Sequence, residues 1–146
     1  MKRTCIIVIA ALLLLTACGR TENEQSPAAE QTLRLAETAE AEKDGIYLRV
    51  EALEDGMLTV RLQNRSSALW YYGESFGLFK RNSEGGWSSV PDGRSWIMIA
   101  HELEIGDEVF LSLDLTPLPL ESGTYKLVKD GIEVSLRLIT AQKDAQ

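Results

Sequence analysis

The chain has 146 residues, one histidine and two cysteines, and its 22 acids against 15 bases leave a formal net charge of −7. That length allows one ordinary domain and not two. The acidic balance, with no basic stripe to offset it, excludes nucleic acid as a partner, because the phosphate backbone would repel the protein.

The first stretch, MKRTCIIVIAALLLLTACG, opens on Lys2 and Arg3 and continues as an apolar run from Cys5 to Leu15. The run is about half of the ~20 apolar residues that a bilayer-spanning helix needs. A charged start, a short apolar middle and small residues after it make a secretory signal. Leu15-Thr16-Ala17-Cys18 fits the bacterial lipobox, in which the cysteine sulfur takes diacylglycerol and a peptidase then cuts between Ala17 and Cys18. Two acyl chains anchor stably where one binds only marginally. The alternative is an ordinary signal peptide with a chance cysteine, but the position of Cys18, the small residues before it and Gly19 after it all favour lipidation. Residues 1–17 are therefore read as a lipoprotein signal peptide, and Cys18 as the attachment point to the cell membrane on its extracytoplasmic side. Gly19 stands where an Asp is associated with inner-membrane retention in two-membrane bacteria. Cys5 would be removed and Cys18 blocked as a thioether, so the mature chain would hold no disulfide and rely on an apolar core. Loss of Lys2 and Arg3 would move the formal charge from −7 to −9.

Residues 19–44 carry seven acids against three bases, no aromatic and only two large aliphatics, Leu33 and Leu35. Such a segment buries too little apolar area to offset its ordering entropy. Leu33 and Leu35 share no helical face, so docking as a helix is not expected. The expectation is that residues 18–44 are a disordered acidic tether, of which a flexible 26-residue coil would span about 28 Å.

From Gly45 to residue 142 the apolar period becomes 2, which is the strand period. Ile46, Leu48, Val50 and Ala52 alternate with Tyr47, Arg49 and Glu51; Asp55-Gly56 then supplies a hairpin turn. Leu58, Val60 and Leu62 form the next stripe, and short strands are expected around 69–72, 75–80, 87–90 and 95–100. Val109, Leu111, Leu113 and Leu115 make a further stripe, and 124–129 with 132–139 a final hairpin across Asp130-Gly131. No stretch after residue 45 keeps a helical period. Eight or nine short strands with turn signals every 8–12 residues predict an antiparallel two-sheet sandwich, with a barrel as the alternative. Tyr125, two residues before the inward Leu127, suits the tyrosine corner of immunoglobulin-type domains.

Six of the ten aromatics crowd into 70–87, WYYGESFGLFKRNSEGGW. Alternation places Trp70, Phe76, Leu78 and Trp87 inward, and leaves Tyr71 and Phe79 as candidate contact residues, since large rings with few rotors suit adaptable surfaces.

The order N-x-S, YYG-E-x-F, GG-W-x-x-VP, L-x-x-G-D, L and G-x-Y-K-L-V-K resembles the bacterial immunoglobulin-like domains of surface proteins and lipoproteins, mostly of Firmicutes. The matching residues include Asn64, Ser66, Tyr72, Gly73, Glu74, Phe76, Trp87, Val90, Pro91, Leu103, Gly106, Asp107, Gly123, Tyr125, Lys126 and Lys129. The likeness spans nearly all of residues 45–140. It departs where Lys126 is followed by two apolar residues before Lys129, instead of by a base close behind the Tyr. The resemblance implies a fold and an address, the single plasma membrane, but no activity.

Chemistry finds little purchase. His101 is the one histidine and no G-x-S-x-G elbow accompanies it. The acids of HELEIGDE (residues 101–108) could in principle hold a hard cation, but they lack a fixed ligand spacing and read as a solvated turn. Phosphate-binding glycine loops are absent. The expectation is a non-enzymatic, lipid-anchored binding module without cofactor or metal, whose partner is an envelope protein, a peptide or a carbohydrate. The alternative is an envelope hydrolase working through His101, or a protease inhibitor presenting Arg94-Ser95.

Overall fold

The alternating stripes become strands. A computed structural model describes residues 31–142, as β1 (Gln31–Leu35), β2 (Ala39–Lys43), β3 (Ile46–Glu54), β4 (Met57–Asn64), β5 (Trp70–Tyr72), β6 (Gly77–Arg81), β7 (Trp87–Ser89), β8 (His101–Leu103), β9 (Glu108–Asp114), β10 (Gly123–Lys129) and β11 (Ile132–Gln142). They form a five-stranded sheet in the order β1-β11-β10-β6-β7, a four-stranded sheet β2-β3-β4-β9, and a small pair β5-β8. Every ladder is antiparallel. The all-β immunoglobulin-like sandwich expected from the sequence is the fold.

Between the two larger sheets lie Leu48, Val50, Leu58, Val60, Leu62, Leu127 and Leu138, all essentially removed from water. Each belongs to an alternating stripe, so one strand face fills the core while the other meets solvent. Asp-Gly pairs turn the hairpins at Asp44-Gly45, Asp55-Gly56 and Asp130-Gly131, with both residues of each at positive φ. This is the geometry of a tight turn whose twist matches its strands.

The tether expected over 18–44 is corrected from Gln31 onward; residues 18–30 lie outside the described residues. β1 pairs with β11 from Gln31↔Gln142 to Leu35↔Leu138, and β2 pairs with β3 from Ala39↔Val50 to Lys43↔Ile46. Leu33 and Leu35 fail the helical period but satisfy the strand period, and both pack against the core beside Ala39 and Ala41. Residues 31–44 thus belong to the domain, ahead of Gly45.

Two further expectations change. No strand forms over 95–100; Pro91–Ala100 is an irregular crossover, and the next strand starts at His101. Trp87, assigned inward, is 36 % exposed. It opposes Arg81 across the ladder on the same face as Phe79 and Ser89, and the buried residue is Val90, which follows β7 and donates its N–H to the Leu78 carbonyl at 2.8 Å. Phe76 and Leu78 are buried as expected, and Trp70 is half-buried against the core.

Among the described residues two polar side chains are fully buried, Asn64 and Lys129. Asn64 ends β4. Its amide Nδ2 donates to the carbonyls of Ala68 (2.8 Å) and Leu103 (2.9 Å), and its Oδ1 accepts from Ser66 N (3.0 Å) and Ser66 Oγ (2.7 Å). That uses the full capacity of a side-chain amide. The Tyr125 hydroxyl donates to the Glu121 carbonyl (2.9 Å) and accepts from Glu121 N (3.2 Å), which is the tyrosine corner.

Candidate functional site

Backbone hydrogen bonds in a strand alternate from edge to edge, so the register of β9 decides what its outer side offers. Arg65 N bonds to Gly45 O, which turns the odd residues of β4 toward β3; Gly106 N bonds to Asn64 O and Leu115 N to Gly56 O, which turns the even ones toward β9. The β9 partners of those even residues, Val109, Leu111 and Leu113, therefore point their N–H and C=O groups at β4. Glu108, Phe110, Ser112 and Asp114 point theirs away from the sheet. The Asp114 carbonyl accepts from Arg94 Nη1 at 2.7 Å. Phe110 and Ser112 make no such bond among the described residues.

Along this open edge runs a groove of about 330 Å³, bounded on one side by Phe110–Asp114 and on the other by Tyr72–Glu74, Phe76, Arg94, Trp96 and His101. The far wall is built by fixed contacts. Arg94 is held by Asp92 through Nε–Oδ1 (2.8 Å) and Nη2–Oδ2 (2.7 Å), and its guanidinium lies 4.8 Å from the Trp96 ring and 5.2 Å from the Phe76 ring. Phe76 and Trp96 meet edge to face at 5.2 Å. The Arg94 hydrogen bonds hold the Asp92 carboxyl below the usual carboxylate range. The Asp114 carboxyl is lowered likewise by the Thr116 hydroxyl and N–H. The buried Lys129 ammonium donates to the Gly73 carbonyl (2.6 Å) and pairs with Asp130, whose Oδ1 accepts from Gly73 N (2.9 Å). A buried lysine and the turn between β10 and β11 thus clamp the 73–76 loop. His101 stacks on Tyr72 (5.1 Å) and its Nε2 meets Glu74 Oε1 at 2.5 Å.

Beyond the groove the crossover exposes Ile97, Met98 and Ile99, with Met98 98 % exposed. Three adjacent apolar side chains in water, directly after groove-lining Trp96, are more than scattered surface hydrophobics. A larger hollow, about 610 Å³, opens between the edge strand β1, at Leu33 and Leu35, and the end of β3, at Leu53.

The residues singled out from the sequence are dispersed. Tyr71 is 53 % exposed on β5, opposite Glu102, whereas Phe79 is half-buried on the outer face of the five-stranded sheet. Lys126 Nζ sits between the Phe79 and Trp87 rings, at 5.4 and 5.3 Å. The two candidate contact residues therefore stand on different sheets. His101 lies beside a carboxylate in the groove and not alone on a flat surface, but its one hydrogen bond among the described residues goes to Glu74 and no nucleophile completes a triad. Among the described residues no cluster of three His, Cys, Asp or Glu could hold a metal. Arg94 does not protrude as an inhibitor loop requires, because Asp92 and Asp114 hold its guanidinium. Cys18 and Ala17 lie outside the described residues. The groove itself was missed. The composition of WIMIA (residues 96–100) reads as a strand, so the sequence predicts one there and not a groove wall at Trp96.

A search of curated proteins and a search of solved structures each returned no match. Residues 30–144 match the family model of a bacterial Ig-like domain, and the chain belongs to that family.

Proposed function

We propose that this protein is a non-enzymatic, lipid-anchored binding module of the cell envelope, tethered through Cys18 and presenting the β9 groove to an extracytoplasmic partner. An immunoglobulin-like domain suits an interaction module. The observation that carries the reading is the open outer edge of β9 along the groove, whose lining residue Trp96 leads directly into the exposed run Ile97–Ile99. Its position supports the same reading. The described chain starts at Gln31, opposite Gln142 at the end of β11, whereas the clamp of Lys129, Asp130 and Gly73 sits at the start of that strand. Eleven residues at ~3.3 Å each separate the two poles by about 35 Å. A tether entering at Gln31 would turn the clamped pole outward, away from lipid.

The test places a photo-crosslinking amino acid at Met98 in intact cells. A discrete crosslinked adduct is expected there and none from the same group at Glu42. Cys18→Ala is expected to move the protein from the membrane to the soluble fraction. Retention of the variant in the membrane would overturn the anchor, and the absence of any Met98 adduct would overturn the binding module.

A further inference from the structure

We infer that the groove takes an extended peptide, added as a new strand to the free edge of β9, with basic residues flanking a short apolar stretch. The inference rests on the binding-module reading and names the ligand class. The first argument is the hydrogen-bonding inventory. The edge offers donors and acceptors at strand spacing from Glu108, Phe110 and Ser112, a pattern that another extended backbone satisfies along its whole length. The second is shape: the groove lies between that edge and a wall of Phe76 and Trp96, so alternate side chains of an added strand would meet these rings.

The third argument is charge. Glu74 and Asp114 line the groove, and Asp114 makes no ion pair among the described residues. The cations lining the groove are already engaged, Arg94 by Asp92 and Lys129 by Asp130. An incoming basic residue therefore meets uncompensated acids, and an acidic one meets repulsion. The same acidity, at −7 for the chain, disfavours a second copy of this protein as the occupant.

The test uses the full chain in detergent and a fluorescein-labelled synthetic peptide, Lys-Val-Thr-Val-Thr-Val-Lys, followed by anisotropy. The Lys-flanked peptide is expected to bind, and its Glu-flanked counterpart to bind more weakly by about tenfold or more at low salt. N-methylation of alternate amides is expected to abolish binding in one phase and to spare it in the other, since only one set of N–H groups faces β9. Ser112→Pro removes an N–H that points away from β4, a position where an edge strand tolerates proline, and should abolish binding; Ser112→Ala should not. Equal binding of both N-methyl phases overturns the proposal. So does binding undiminished in a folded Ser112→Pro protein, a dimer joined through β9, or an oligosaccharide that displaces the peptide. If Ser112→Pro does not fold, the N-methyl phases decide alone. A Met98 adduct that persists on cells in Ser112→Pro would keep the binding module and overturn strand addition.

Discussion

Asn64 shows how one side chain can hold several segments together. It joins the end of β4 to the Arg65–Ala68 turn and to Leu103 of β8, with every donor and acceptor used. Asn64→Ala would leave the buried Leu103 carbonyl without this donor, at a cost of about 2 kcal/mol, whereas the exposed Ala68 carbonyl keeps the Ser66 hydroxyl. Urea unfolding should show a lower midpoint with an unchanged slope. Asp92 makes a pH-dependent contribution of known sign. Its carboxyl is held low by Arg94, so the stabilisation is present above the unfolded value of about 3.9 and is lost as pH falls through the folded value. The melting temperature of the wild type should exceed that of Asp92→Asn by a constant margin from pH 7 to about 5, and the margin should shrink below about pH 4. A margin that grows on acidification would contradict this.

At the scale of elements, legibility tracked the strength of each apolar stripe. β3, β4, β10 and β11 carry branched or large aliphatics at every second position between Asp-Gly turns, and their presence and facing were readable. β1 and β2 were not, because QTLRL and AEAEK are polar enough to pass for a tether, and their order comes from ladders with β11 and β3 that no local window contains. Asp44-Gly45 carried the same turn signal as the other two hairpins. Trp87 failed for a different reason: β7 is three residues long, and its parity is set by pairing with β6. The groove was illegible because the hydrogen-bonding side of a strand depends on register, which the sequence does not spell out. Leu35 tests the corrected boundary. If β1 belongs to the sandwich, Leu35→Ala should cost about 1–2 kcal/mol, a share of a full core truncation suited to a half-buried side chain. A tether residue would cost nothing, and a single denaturation curve separates the two.

Taken as a whole, the molecule guards its sheet edges unequally. β2 carries Glu40, Glu42 and Lys43, and β7 is short and soon followed by Pro91, both common ways of discouraging stray strand pairing. β9 has charges only at its two ends, Glu108 and Asp114, and between them its open side bears Phe110 and Ser112 with no proline. The open edge of β9 thus coincides with the groove, whose lining residue Trp96 leads into the exposed Ile97–Ile99 run.

The pairing of β1 with β11 also decides how the domain would meet mechanical tension. If Cys18 is held in lipid and a partner is gripped at the groove, a pull between them would reach the fold at Gln31 and act along the axis of β1. Strand β1 runs from Gln31 into the body of the domain, so its five register partners on β11 are strained together, in shear. They are not peeled apart one after another. The strand that most resembles a linker in the sequence is the one through which an anchored domain would resist being torn open.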